Sequence, residues 1–449
     1  MPNPTEVVII KRDGSITPYT TYGSARADAV AGDLIQIRAD LNEQILLKNL
    51  VDIWIMPGVV IDFVAVSPTP QGPTITDNNT AVTCNIYGMG IIKNTDTTTN
   101  GRYECIKLSN ASSKLSIECD FIEGVGSTST SLVGPCIYIQ KGIKFHLTCN
   151  KVYNKNNVAM WIGGVSTPII DINLNVKLVE TGIITTLASG GSAIITHGNG
   201  FINIDEILCR NSGHCLSHRA GEMVAKIKKL TTINNRSGNI STVHLNQGNN
   251  NQKLILYFDE ILNIKGQTNS LSAIEVKEGT GIFIGRRIYS EDTETVIIGK
   301  STPTSVTPQK LYVKCNEIIC LRKNAVTVNN SVQQCFIQAN YIEANYFAVL
   351  YSDGSGNFVL KNGTLKNKYS STDSIGIGVD TNLTNMTLIN VKIISGDATA
   401  GRPINVGNLT QMSVFNFGLF TNAPVNTSLA LLKIGTSINY QYIQSSDLT

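Results

Sequence analysis

The sequence predicts an all-β fold, a single-stranded parallel β-helix (solenoid) of about fourteen coils with a short capping helix at its N-terminal end. Three observations predict it. A strand-like motif recurs through most of the 449 residues. No amphipathic helical pattern separates the copies. The residues between them are mainly Asn, Gly, Ser and Thr, which favour turns over crossover helices. Parallel strands joined only by turns must wind as coils.

The motif reads apolar, any, apolar, any, small or apolar, Asn/Asp/Lys, any, apolar. It is clearest in Phe145–Val152, Leu254–Ile261, Leu311–Ile318 and Cys335–Ile342. Weaker copies begin at Ile53, Cys84, Leu115, Ile172, Gly200, Met223, Gly281, Phe358, Met386 and Met412. Their mean period of about 28 residues lies in the solenoid range. Alternation with period two gives each copy one buried face. A second strand per coil follows from Ile137–Gly142, Ala159–Gly164, Ala193–Gly198, Leu216–Gly221 and Val243–Gly248, each an apolar lead with glycine five residues later. The same offset gives Glu278, Asn330, Asp353 and Asp380 in later coils. Gly, Asn and Asp tolerate left-handed backbone, so this column reads as a repeated bend, with Glu278 the misfit.

Residues 21–32 form the expected short helix, stopped by Gly32 and covering the first coil. The division that follows is a cap or attachment segment at 1–35, the β-helix at 36–424, and a C-terminal cap or oligomer contact at 425–449. Ser67–Thr80, rich in Pro and Thr, reads as an excursion loop. With no clear linker, one long domain is favoured over the three that a length rule of about 150 residues per domain suggests.

Composition narrows the partners. Lys and Arg number 36 against 33 Asp and Glu, a net charge of +3, with 15% charged and 42% hydrophobic residues. A nucleic-acid binder working by bulk charge needs a clustered basic excess, so none is expected. Enough apolar residue is present to build a core rather than a disordered chain. No apolar run reaches the roughly 18 residues of a membrane span, so no membrane insertion is expected. The opening MPNPTEVVIIKRDGS lacks the pattern of a secretory signal. The ten cysteines are scattered without a CxxC pair and read as reduced core thiols. Cys209, His214, Cys215 and His218 form the densest cluster, but their spacing is wrong for the usual zinc knuckles. Neither metal nor cofactor is expected.

Residues 32–63, GDLIQIRADLNEQILLKNLVDIWIMPGVVIDF, resemble the opening of right-handed β-helix proteins of the pectin-lyase-like group. Pro57-Gly58 is the most specific part of that likeness. The Asn- and Thr-rich coils resemble bacteriophage tailspikes and other virion fibres of the same fold. The resemblance implies right-handed winding, in line with the general preference for right-handed crossovers. It also implies a homotrimer located in the virion, made in the host cytoplasm, with other virion proteins and host-surface polysaccharide as partners. The fold hosts many functions, so function must be argued from sites.

Glycan hydrolysis on such a fold needs carboxylates about 5 to 9.5 Å apart, within reach of acids on coils about 4.8 Å apart. One column carries Asp205-Glu206, Lys228-Lys229, Asp259-Glu260, Arg286-Arg287 and Asn316-Glu317 on successive coils. Alternating sign suits a structural charge ladder. A neighbouring cation also lowers an acid's pKa, the wrong direction for a general acid. The other column, Asp353 and Asp380 with Asn330, offers the catalytic or calcium-binding candidates, although a bend residue is the plainer explanation. Trp161 and Tyr138 are candidates for stacking on sugar rings, although a core role is the plainer reading of an aromatic in a coil strand. His146, His197 and His244 lie at unmatched positions of different coils, so no nucleophile–histidine pair is indicated. The expectation is a structural virion component presenting loops to host-surface glycan or virion proteins. The alternative is a polysaccharide depolymerase, a hydrolase or lyase.

Overall fold

The computed structural model describes residues 6–64, 72–95, 104–125, 134–156, 158–164, 166, 168–182, 192–210, 213–233, 241–245, 252–264, 272–291, 295–300, 309–329, 332–346, 348–351, 356–367, 377–379, 383–395, 404–406, 409–421 and 439–440. Two compact units divide the chain, Met1–Ile227 and Lys228–Thr449. Each is a parallel β-solenoid built from a long and a short sheet.

In the first unit the long sheet climbs from Leu34–Ile37 to Asp52–Ile55, then Thr83–Tyr87, Lys114–Gly124, Lys144–Asn154, Ile169–Thr181 and the second half of Ile194–Arg210. The short sheet climbs beside it through Ile45–Leu46, Ile75–Thr76, Ile106–Leu108, Ile137–Ile139, Met160–Ile162, Ile194–Thr196 and Leu216–Ala220. The second unit repeats the plan. Its long sheet runs through Lys253–Ile264, Thr280–Ser290, Gln309–Cys320, Val332–Ala344, Asn357–Lys361 with Thr364–Asn367, Leu383–Ser395 and Leu409–Thr421. Its short sheet runs from Ser241–Leu245 through Ser272–Val276, Thr295–Lys300, Asn324–Asn329, Val349–Tyr351 and Ile377–Val379 to Ile404–Val406.

The motif explains the long strands. In Lys114–Gly124 the buried positions are Leu115, Ile117, Cys119, Ile122 and Gly124. The step from 119 to 122 breaks the period of two, because Asp120 and Phe121 both stay out of the core where the chain bends. The same five positions stack on the next rungs, as in Ile117–Leu147–Leu174–Ile202 and Ile122–Val152–Val179–Ile207. Every one of these eight side chains is 3% exposed or less. Each contributes about 1.5–3 kcal/mol by burial, so the stack of like on like is the main source of stability. Size is balanced between rungs in the second unit: a Cβ on Gly285 would sit 2.4 Å from the Phe258 ring of the rung below.

Several expectations are corrected. The motif count of about fourteen coils differs from the ladder. Leu34–Ile37 already forms a rung ahead of the copy at Ile53, and Asn439–Tyr440 pairs beyond the copy at Met412. These rungs are too short to carry the full motif. Ile53 aligns with Ile86 rather than Cys84, two residues out of register, because its strand ends early at the Pro57-Gly58 turn. The helix spans Tyr22–Asp28, capped by the Thr21 side chain accepting from Ser24 N, and it ends before Gly32. The Ser67–Thr80 stretch contains a rung at Ile75–Thr76. Ahead of the helix lies a hairpin that the periodicity did not suggest. Val7–Ile10 pairs antiparallel with Ile16–Tyr19 on one side and Leu34–Ile37 on the other.

The bend column shifts as well. The short sheet pairs Ile137 with Met160 and Ile194, one residue beyond the leads at Ala159 and Ala193. It pairs Val243 with Ile274, so the fifth residue on is Gly279, at φ +78°, and Glu278 is no longer a misfit. A Cβ at Gly279 would lie 2.3 Å from the Gln252 carbonyl oxygen.

Candidate functional site

In the first unit the outward column of the short sheet is Lys107, Tyr138, Trp161, Ile195 and Ser217, one residue per rung. These positions alternate with core residues such as Ile137, Met160, Ile194 and Leu216. The Tyr138 ring meets Trp161 edge-on, with centroids 5.9 Å apart and planes at 67°. Trp161 Nε1 donates to Gly163 O at 3.1 Å, which fixes the indole. A register shift then places Thr196 opposite His218 but His197 opposite Ala220. Arg219 is the residue skipped, and such bulges re-aim a side chain. Its guanidinium carbon lies 5.9 Å from the Trp161 ring centroid, and Nε donates to Ser217 Oγ at 3.3 Å. Burial lowers the Arg219 pKa.

Behind this half-exposed rim the floor is closed. Ser217 and Ile195 are buried, and His197 is 1% exposed. Neither ring nitrogen of His197 has a hydrogen-bond partner among the described residues. Burial, reinforced by Arg219 and His218, pushes its pKa down to about 4, so the ring is neutral at pH 7. His218 faces the core instead. Its Nε2 lies 2.9 Å from Gly221 O, and since a carbonyl only accepts, Nε2 carries the proton. Nδ1 then accepts from Thr196 Oγ1 at 3.0 Å. Burial holds this ring at a pKa of about 4.

The remaining candidates separate. In the second unit the long sheet aligns Glu260 with Arg287 and Arg287 with Glu317. Glu260 is bonded by Arg286, and Arg287 Nε lies 3.5 Å from Glu317. Asp259 is exposed, and Lys228 and Lys229 lie in Glu222–Ile233. In the first unit Glu206 follows Asp205 in Ile194–Arg210 and stands beside Leu178 of the preceding rung. A second ladder, not singled out from the sequence, joins Lys93 to Glu123 and Lys151 to Glu180, each at 2.9 Å.

Asp353, Asp380 and Asn330 lie outside the described residues. The rung that flanks the two aspartates pairs Val349 with Ile377, a separation of 377 − 349 = 28 residues, whereas the aspartates are 380 − 353 = 27 apart.

Sequence reasoning also missed a buried polar group in the second unit. Glu275 is fully buried, aligned with His244, and its carboxylate lies 3.5 Å from His244 Nε2 and 3.6 Å from Lys277 Nζ. Ser241 Oγ donates to Glu275, so this is a buried ion cluster rather than a serine–histidine relay. The only signal available was a glutamate inside an apolar run. All ten cysteines are buried thiols outside any disulfide. Cys209 Sγ points to His214 O at 3.4 Å. Among the described residues no three His, Cys, Asp or Glu side chains are grouped to hold a metal ion. No family model, curated protein or solved structure matches the chain.

Proposed function

We propose that the chain is a structural component of a phage virion, a spike- or fibre-like β-helix that presents its outer faces and connecting segments to host-surface glycan or to other virion proteins. The observation that carries this reading is the division of labour along each coil. In the long sheet of the first unit inward positions are mainly apolar on rung after rung, while outward positions change character from one rung to the next. A scaffold that holds its core constant and varies its surface suits recognition. Among the described residues, two carboxylates are engaged structurally: Asp77 by backbone amides and Ser113, Glu180 by Lys151 and Arg210.

A homotrimer fits the same reading. One outward column of the second unit is apolar: Ile255, Ile282, Tyr312, Phe336 and Val359, all half-buried. Tyr312 and Phe336 stack at 4.7 Å with planes 4° apart, so each spends one face on the other. A second copy of the chain is the better cover.

Mass spectrometry of purified particles tests the virion assignment, and absence of the chain from particles overturns it. Light scattering of the purified protein is expected to give three times 48.5 kDa, and a clean monomer counts against the spike. The alternative, a polysaccharide depolymerase, predicts reducing ends or unsaturated uronates released from host polysaccharide and lost in Asp353→Asn or Asp380→Asn.

A further inference from the structure

The geometry points to an acidic-sugar site on the outer face of the first unit's short sheet, where Arg219 binds the sugar carboxylate beside the Trp161 ring. It rests on the glycan-presenting reading and gives that reading a substrate class. Four observations carry it.

Arg219 is a partly buried guanidinium with no carboxylate in ion-pair reach among the described residues; its one side-chain hydrogen bond is to Ser217. A guanidinium removed from water without a counter-charge is costly unless a ligand supplies one. The sequence leaves little else to supply it: stretches 126–133, 183–191 and 211–212 contain no Asp or Glu. Nearby, His197 is almost fully buried with both ring nitrogens unpartnered, so a neutral donor and acceptor wait beside the cation. The indole of Trp161 and the phenol of Tyr138 supply the apolar body and polar edge that suit a pyranose ring. At the far end of the column Lys107, half-exposed and aligned with Tyr138, also has no ion-pair partner among the described residues. Two cations with no ion-pair partner among the described residues thus bracket two aromatic rings on successive rungs.

A planar, forked donor matches a carboxylate by paired hydrogen bonds, which favours a uronate or sialate over a neutral sugar. A buried, unpaired charge facing a neutral ligand would remain unpaired, so discrimination between the two is built in.

The chain has two tryptophans, Trp54 and Trp161. Trp54→Phe therefore leaves Trp161 as the sole indole reporter. Oligogalacturonate and oligosialate, titrated into this protein, are expected to change Trp161 emission, with affinity falling as salt rises. Neutral galactose oligomers of equal length are expected to bind at least about tenfold more weakly. Arg219→Gln should weaken acidic binding by about tenfold or more, and Arg219→Lys by less, because the fork is lost but the charge is kept. Lys107→Gln, far from the bulge, gives a second and smaller loss if Arg219→Gln does not fold. Equal binding of acidic and neutral oligomers overturns the acidic assignment and leaves glycan presentation standing. Acidic binding unchanged in Arg219→Gln overturns it too. Silence toward every probe also overturns it, and adsorption of the wild-type chain to host cells then decides separately whether glycan presentation survives.

Discussion

Asn390 donates from Nδ2 to Asn362 Oδ1 over 2.9 Å, and both residues hold left-handed backbone, at φ 51° and 56°. They lie 28 residues apart, one coil above the other. Asparagine serves twice here. Its short amide tolerates the left-handed region, and that amide links neighbouring coils on the outside of the solenoid. Asn390→Ala is expected to lower stability by about 2 kcal/mol, half from backbone strain and half from the lost bond. Asn390→Gly should lose about 1 kcal/mol, because glycine adopts the bend freely. Urea unfolding of the two variants separates the terms, and equal losses would refute the backbone part.

Asp77 has a comparable role inside the fold. It is 1% exposed, and its carboxylate accepts from Ser109 N, Asn110 N, Asn79 N and Ser113 Oγ at 2.8–3.1 Å. Asp77→Ala strands these donors and should cost about 3 kcal/mol. Thermal melting checks this, and a loss below about 1 kcal/mol would show that water replaces the carboxylate.

The charge ladder makes a smaller claim. Arg287 stands between Glu260 and Glu317 on adjacent rungs. Arg287→Glu places three acids in a row and should destabilise by about 1 kcal/mol at low salt, less at high salt. Arg287→Gln should fall between. A salt-independent difference between the two variants would mean the ladder is not electrostatic.

Acid should loosen the first unit through His218. The folded ring has a pKa of about 4, below the ordinary value of 6.5. As pH falls through 6.5 the unfolded chain binds a proton that the folded chain refuses. The stability held above that pH is therefore lost progressively down to about 4. Its full size is about 3 kcal/mol. His218→Gln should make the stability profile shallower over this window, leaving the part that His197, also held at about 4, contributes. A profile as steep as wild type would place the titration elsewhere.

The solenoid was legible in the sequence because its core is a stack of equivalent positions. Leu115, Phe145 and Ile172 occupy one column, and their spacing shows through any variation in loop length. Register in the short sheet was harder. Ala159 and Met160 are both apolar, so a rule that seeks an apolar lead cannot choose between them, and the bend column slipped by one residue. Tyr138 and Trp161 were singled out as aromatics, with a core role the plainer reading, and the pairing places them outward. Arg219 was not, since its placement depends on a bulge that only strand pairing reveals. Asp77 was hidden for a related reason: its partners are amides from the next coil, which no local pattern announces.

The antiparallel hairpin at the start of the chain has a consequence for self-association. A naked parallel rung offers its amides and carbonyls to any similar chain, the route by which stacked β-structures grow into fibrils. Here Val7–Ile10 occupies the edge of Leu34–Ile37, and among the described residues the outermost strand becomes Ile16–Tyr19, only four residues long and interrupted by Pro18. Proline brings no amide hydrogen, so a newcomer meets a short and broken row of donors. Deleting the hairpin should promote end-to-end polymerisation through the uncovered edge of Leu34–Ile37.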